Sequence, residues 1–243
     1  MWNRKDGRTL RRKIAGTCLI VAPLMLLAAM AIAPSLAGET EEILVRLAAN
    51  KPALLAADIL IPLAVVLLIP ASLGILRVLR ERAPRLALVG VPMFLVGWLF
   101  VLGPIMLDRV ELQLALSGMP GDEAVALVER FEGDAGISVI FGVFIVGHTI
   151  GAILVGVALA RARFVPIWAA ACIVVAAVLH PIARVALGSK WLDVVAFALL
   201  AVGLAVTGSR VLRLSDEEWE PRVDAFEPVL PRPERQVVAS GAA

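Results

Sequence analysis

Residues 53–75 read ALLAADILIPLAVVLLIPASLGI, an apolar run interrupted by a single ionisable group, Asp58. A helix needs about 20 such residues to cross the hydrocarbon of a bilayer. A run this long leaves no stripe for water, so it reads as a membrane span. It ends in RVLRERAPR, residues 77–85, which carries four arginines and one glutamate. The next apolar run starts at once.

Five further runs of the same kind follow from the chain. The six expected spans cover about 14–34, 53–75, 86–107, 137–160, 164–187 and 191–208. The composition agrees: 60% of the 243 residues are hydrophobic, well above the 45–50% usual for soluble domains. The fold class expected is therefore all-α, a polytopic helix bundle. The 19 Arg against 4 Lys, the absence of Tyr and the abundance of Ala and Val point to a GC-rich bacterial source. Cys18 and Cys172 lie in apolar runs without CxxC spacing and read as small core residues.

The connecting segments alternate in charge. The N-terminal tail 1–13, the link 77–85, the ARAR of 160–163 and the SRVLR of 209–213 are basic. GETEEILVRL (38–47) carries three glutamates, and Asp108 to Gly136 has seven acids against Arg109 and Arg130. Basic short loops stay in the cytoplasm, so both chain ends are expected inside. The localisation this implies is the bacterial cytoplasmic membrane, multi-pass. A cleaved signal peptide, with SLA before Gly38, is the competing reading of the first run. Its length exceeds the usual 7–15-residue apolar region, which favours an uncleaved span. Residues 209–243 read as a polar, Pro-rich cytoplasmic tail without structure.

Two acidic stretches have a helical apolar face: Ile43, Leu44 and Leu47 in the first, Ala124, Leu127, Val128 and Phe131 in the second. Both are expected as short amphipathic helices on the outer face. Each precedes a span, an arginine turn and a returning span. Gly74 with Gly156, Arg80 with Arg163 and Pro84 with Pro166 then match at an offset near 82, the mark of a parallel repeat.

Ionisable groups at membrane depth are costly and are the first places to look for function. Asp58, His148, His180, Arg184 and Asp193 all fall in the expected outer half and outline a polar pocket opening outward. Three readings compete. In the first, the groups only bridge helices, with Arg184 pairing Asp193 or Asp58. In the second, His148 and His180 hold haem b or a metal ion as part of a redox subunit. In the third, Asp58 and Asp193 titrate in a small carrier. Gly147, Gly151 and Gly156 form a small-residue face for helix packing, within the chain or with a second copy. A homodimer or a membrane partner protein is the corresponding partner expectation, beside the bilayer itself.

No P-loop, GxSxG, HExxH or paired cysteine motif is present, and an enzymatic role is not expected. The arginines follow one membrane edge, which gives nucleic-acid binding no support. No resident cofactor is expected outside the haem or metal reading. RRKIAGTCLI (11–20), LAANKPALLAADI (47–59) and LGILRVLRERAPRLALVG (73–90) resemble the matching stretches of a broad bacterial family of six-helix integral membrane proteins catalogued as a domain of unknown function. That resemblance implies a six-helix membrane fold and assigns no catalytic residue.

Overall fold

A computed structural model describes residues 4–220. Ten α-helices succeed one another: α1 (Arg4–Ile32), α2 (Thr40–Ala49), α3 (Lys51–Leu79), α4 (Pro84–Phe100), α5 (Leu102–Leu116), α6 (Gly121–Glu132), α7 (Ala135–Arg161), α8 (Ile167–Pro181), α9 (Lys190–Arg213) and α10 (Asp216–Trp219). No strand occurs among the described residues. Six stretches are long and apolar enough to cross a membrane: Gly7–Ile32, Lys51–Leu79, Pro84–Leu116, Ala135–Arg161, Ile167–Ala186 and Lys190–Arg213. Their outward faces are apolar as well, with Leu88 70% and Val66 60% exposed, as a lipid-facing surface requires. The chain is a multi-pass helical membrane protein.

The spans form a closed ring in chain order: α1 against α3, α3 against α4, α4 against α7, α7 against α8, α8 against α9, and α9 back on α1. Small residues set several of the seams, because without a hydrophobic force between helices in lipid, close backbone approach supplies the attraction. Ala15, Ala22 and Ala29 on α1 recur every seven residues, as do Ala57, Ala64 and Ala71 on α3, and all six are buried. A side chain at Gly208 would strike the Gly16 carbonyl, which closes the ring between α1 and α9. At the α4–α7 seam, Gly97 lies against Gly147 and His148, and Gly151 against Phe94. The GHTIG pair is therefore consumed within the chain. Gly156 faces Ala170 and Val174 of α8.

Two prolines shape the end of the ring that holds the acidic links. The Pro104 ring conflicts with the carbonyl four residues back, that of Phe100, and α4 stops there before α5 resumes after Val101. Pro181 likewise cannot continue the helix ladder. The chain widens into a π-turn, Ile182–Ala186, whose last bond runs from Leu187 N–H to the Ile182 carbonyl at 3.0 Å.

Several expected boundaries shift. The third span continues past 107 to Leu116, where α2 packs on α5 through Leu47 and Leu112. Asp108 thus lies inside a helix and does not end one. The expected N-terminal tail is helical from Arg4, as an extension of α1. The tail expected without structure from 209 is ordered through residue 220. α9 runs to Arg213, and Ser215 opens α10 with a capping box to Glu218. Residues 221–243 of that tail lie outside the described residues.

α10 folds back on the basic end. Arg12 Nε pairs with Asp216 at 3.1 Å and Arg11 with Glu220 at 2.6 Å, while Thr9 donates to Asp216. Arg77 Nε donates to the Trp219 carbonyl at 2.9 Å, and the Trp219 ring is buried near Gly74 and Ala15. Arg82 lies 5.9 Å from the centre of the Phe164 ring. The arginine-bearing segments therefore gather at one end of the ring. Helices α2 and α6 lie at the other, packed together through Leu44, Ala124 and Val128.

Pro84 and Pro166 both open a returning span, but the other two matching pairs do different work. Gly74 admits α1, whereas Gly156 admits α8. Arg80 is helical, whereas Arg163 has φ 50°. The offset near 82 is not matched by equivalent packing.

Candidate functional site

A cavity of about 150 Å³ lies within the ring toward the α2–α6 end, and all six spans contribute to its wall. Most of the wall is apolar, including Leu26, Ile61, Ile105 and Phe141. Charge enters at Asp58, Asp108 and Arg184, and His180 lines the floor beside Trp98, Phe144 and Phe197. The break after Phe100 and the π-turn after Pro181 are two reasons space exists here. Each moves the backbone off the regular helical line at a point where the spans would otherwise touch. Asp108 comes from the resumed helix, and Arg184 and Val185 come from the π-turn.

The charged groups pair in an order the sequence did not reveal. Asp58, on α3, has a side chain only 2% exposed, and Arg109 Nε of α5 approaches its Oδ2 to 2.7 Å. Asp58 Oδ2 makes no directed hydrogen bond, so the contact with Arg109 is a coulombic one. Asp193, in the first turn of α9, is buried and accepts from His180 Nδ1 at 2.5 Å. Arg184 therefore pairs with neither Asp193 nor Asp58. It is exposed at the cavity wall, where Asp108 is also found.

The two histidines meet. His148 lies on α7 and His180 on α8, and their ring centres are 5.1 Å apart. His148 is buried, stacks on Phe144 at 4.6 Å, and donates from Nδ1 to the Phe144 carbonyl at 2.6 Å. Trp98 stands 5.4 Å from the His148 ring, and Phe197 5.0 Å from His180. Nδ1 is thus committed in both rings. Thr149 is 3.4 Å from the Nε2 of His148, a long contact. The Trp98 Nε1–H is buried without an acceptor. A small chamber of about 20 Å³ lies among these rings, sharing Trp98, His180 and Phe197 with the large cavity above.

A bis-imidazole haem lies between its two ligand rings, with one on each face of the porphyrin. Rings 5.1 Å apart leave no such gap, so His148 and His180 do not fit haem in this way. A bare metal ion is a different case, because ligating histidines characteristically donate their other N–H to a carboxylate or a carbonyl. Asp193 and the Phe144 carbonyl provide both arrangements. No group of three or more His, Cys, Asp or Glu side chains that could hold a metal occurs among the described residues.

The structure brings His148, His180 and Asp193 together, and places Asp58 and Arg184 around the cavity. Trp98, Phe144 and Phe197 also line it, and Arg109 touches it through Asp58; all four were missed. The signal for Arg109 was present: helical periodicity runs on through PIMLDRVELQLAL, residues 104–116, but the charges made that segment look like a loop. No family model, curated protein or solved structure matches this chain. The geometry carries the functional argument alone.

Proposed function

We propose that this chain is a non-enzymatic protein of the bacterial cytoplasmic membrane, both ends cytoplasmic, which binds a small molecule in a largely apolar cavity that carries a few charged groups and opens to the outer face. The gathering of arginines at one ring end supports this orientation by the positive-inside rule. It leaves α2 and α6 as amphipathic helices on the outer face, and it accords with the resemblance to the six-helix family. The cavity carries the reading: an apolar space walled by all six spans, with Asp58, Asp108, Arg184 and His180 converging on it. Buried polar groups inside a membrane find their use in ligand or ion pathways. A hydrophobic cavity of about 150 Å³ accommodates a single aromatic ring.

Native mass spectrometry of the detergent-purified protein tests it. A non-lipid adduct is expected, and it should be lost from an Ile61→Trp variant in which the cavity is filled. A bare protein that also gains no adduct from small aromatic probes would overturn the reading.

A small carrier is the second reading, favoured by the Asp58–Arg109 contact. A cationic substrate could displace Arg109 from Asp58, which is the exchange a carrier needs. Uptake into proteoliposomes that is lost in Asp58→Asn would favour it over a static binding role.

A further inference from the structure

A separate recess lies beside the mouth of the large cavity. Its wall is formed by Ser35 and Leu36 of the α1–α2 link, Arg184 of the π-turn, and Ser189 and Lys190 at the start of α9. No acid lines it. Arg184 and Lys190 form no ion pair among the described residues. Asp108 and Glu111 act on Arg184 through space only. Ser35 Oγ and Ser189 Oγ each accept from a backbone N–H, that of Ala37 and of Leu192, and each keeps its hydroxyl hydrogen to donate. Two cations and two hydroxyls around one recess are the donor set of a phosphate site. The recess lies at the level where two spans end, since the fifth stops at Ala186 and the sixth starts at Lys190. Trp191, exposed beside the Lys190 ammonium 5.6 Å from its ring centre, is the kind of residue found at the headgroup level. Next to the recess the surface is apolar. Leu36 and Arg184 belong to both recess and cavity, and Val185 of the cavity wall is 70% exposed. Phe141 and Ile145 of α7 also reach the cavity wall, yet none of residues 135–147 is buried, and the π-turn packs chiefly on α8 and α9. The mouth therefore opens partly sideways, between α7 and the π-turn, toward hydrocarbon.

We infer that an anionic phospholipid of the leaflet at the α2–α6 end binds here, with its phosphate between Arg184 and Lys190 and one acyl chain laid along Leu36 and Val185 across the cavity mouth. The site stands beside the cavity and does not depend on what the cavity holds. The recess, about 20 Å³, takes one phosphate oxygen and leaves the rest of the headgroup at the interface. A zwitterionic headgroup suits it less well, because its ammonium meets two cations and no acid of the recess wall. A free phosphate uses the recess but gains nothing from the apolar strip beside it.

The test is native mass spectrometry of the full chain in micelles containing phosphatidylglycerol. Parent and variant are measured in one sample, so that lipid held at the arginine-rich end is common to both. The double variant Arg184→Gln/Lys190→Gln is expected to retain the lipid about tenfold or more less than the parent. Val185→Asp puts a charge on the path of the acyl chain and should weaken retention as well. Ile61→Trp fills the cavity and should leave the lipid bound. The parent should hold phosphatidylethanolamine less than phosphatidylglycerol. Circular dichroism checks the fold of each variant, and Lys190→Gln alone serves should the double variant fail to fold. Equal retention of phosphatidylglycerol by parent and double variant would overturn the headgroup assignment. Displacement of the lipid by inorganic phosphate, with Val185→Asp having no effect, would overturn the lipid in favour of a free-anion site. Loss of the lipid from Ile61→Trp would overturn its place beside the cavity.

Discussion

Removing the Arg109 side chain should hurt the protein more than removing the charge it faces. Asp58 is 2% exposed at its side chain, Arg109 is 30% exposed, and 2.7 Å separates them. Arg109→Met strands a carboxylate that cannot reach water. Breaking a buried pair in this way costs about 3–5 kcal/mol. The partial exposure of the guanidinium places the expected loss at the lower end, about 3 kcal/mol, or roughly a hundredfold in the unfolding equilibrium. Asp58→Asn leaves a guanidinium that can turn toward solvent and should cost only about 1 kcal/mol. The double variant removes both charges and should also lie within about 1 kcal/mol of the parent, so Asp58→Asn rescues Arg109→Met by about 2 kcal/mol. Reversible unfolding in mixed detergent and SDS micelles, followed by circular dichroism, reads all four proteins. An Arg109→Met variant as stable as the parent, or a double variant no better than Arg109→Met, would refute the account.

Other consequences follow from the seams and from the basic end. Gly97→Leu forces a side chain into the backbone of Gly147 and His148 and should cost at least about 1–3 kcal/mol, with a lowered melting temperature as the readout. Trp219→Ala removes a buried indole and should release α10 from α1 and α3, giving faster proteolysis after Arg213 while the spans stay folded. The carboxyls of Asp216, Glu218 and Glu220 are held below their ordinary values. The Thr9 hydroxyl does this chiefly for Asp216, the Ser215 backbone N–H for Glu218, and Arg11 for Glu220. A depressed folded value means their contribution is complete above the ordinary carboxylate range near pH 4 and is lost as pH falls below it. Acid should therefore undock α10, seen as hydrogen exchange rising at Asp216–Trp219 below about pH 4 but not at neutral pH.

Sequence and structure agree where physics allows one answer. An apolar run of about 20 residues has no stable home but a bilayer or a large core, so the six spans were legible from hydropathy alone. The glycines of GHTIG were legible as a packing face for a similar reason, since only small residues permit that approach. Rotation of each span about its axis was not legible. Leu68 is 1% exposed and Val66 60%, yet hydropathy treats them alike, because lipid and core are equally apolar. Without rotation, the partners of Asp58 and Asp193 could not be chosen. α5 failed for the opposite reason: its charged residues argued for a loop, and the packing of Leu112 on Leu47 of α2 and the Arg109–Asp58 contact that hold it arise only in the tertiary fold.

The placement of both histidines follows from the ring order. His148 sits between Gly147 and Gly151, so the residues that let α7 approach α4 also press its imidazole toward Trp98. His180 stands just before Pro181, where α8 gives way to the wider π-turn, and Asp193 of the next span reaches it across the short link through Ser189. A ring that needed only helix glue would satisfy these side chains with one another. Here Asp193 and the Phe144 carbonyl each take one imidazole nitrogen, Thr149 lies 3.4 Å from the second nitrogen of His148, and the buried Trp98 N–H has no acceptor. In a low-dielectric interior an unpaired indole N–H is costly unless another molecule completes it. The location of that cost, at the floor of a cavity walled by every span, is the strongest physical reason to look for a ligand rather than for a purely structural role.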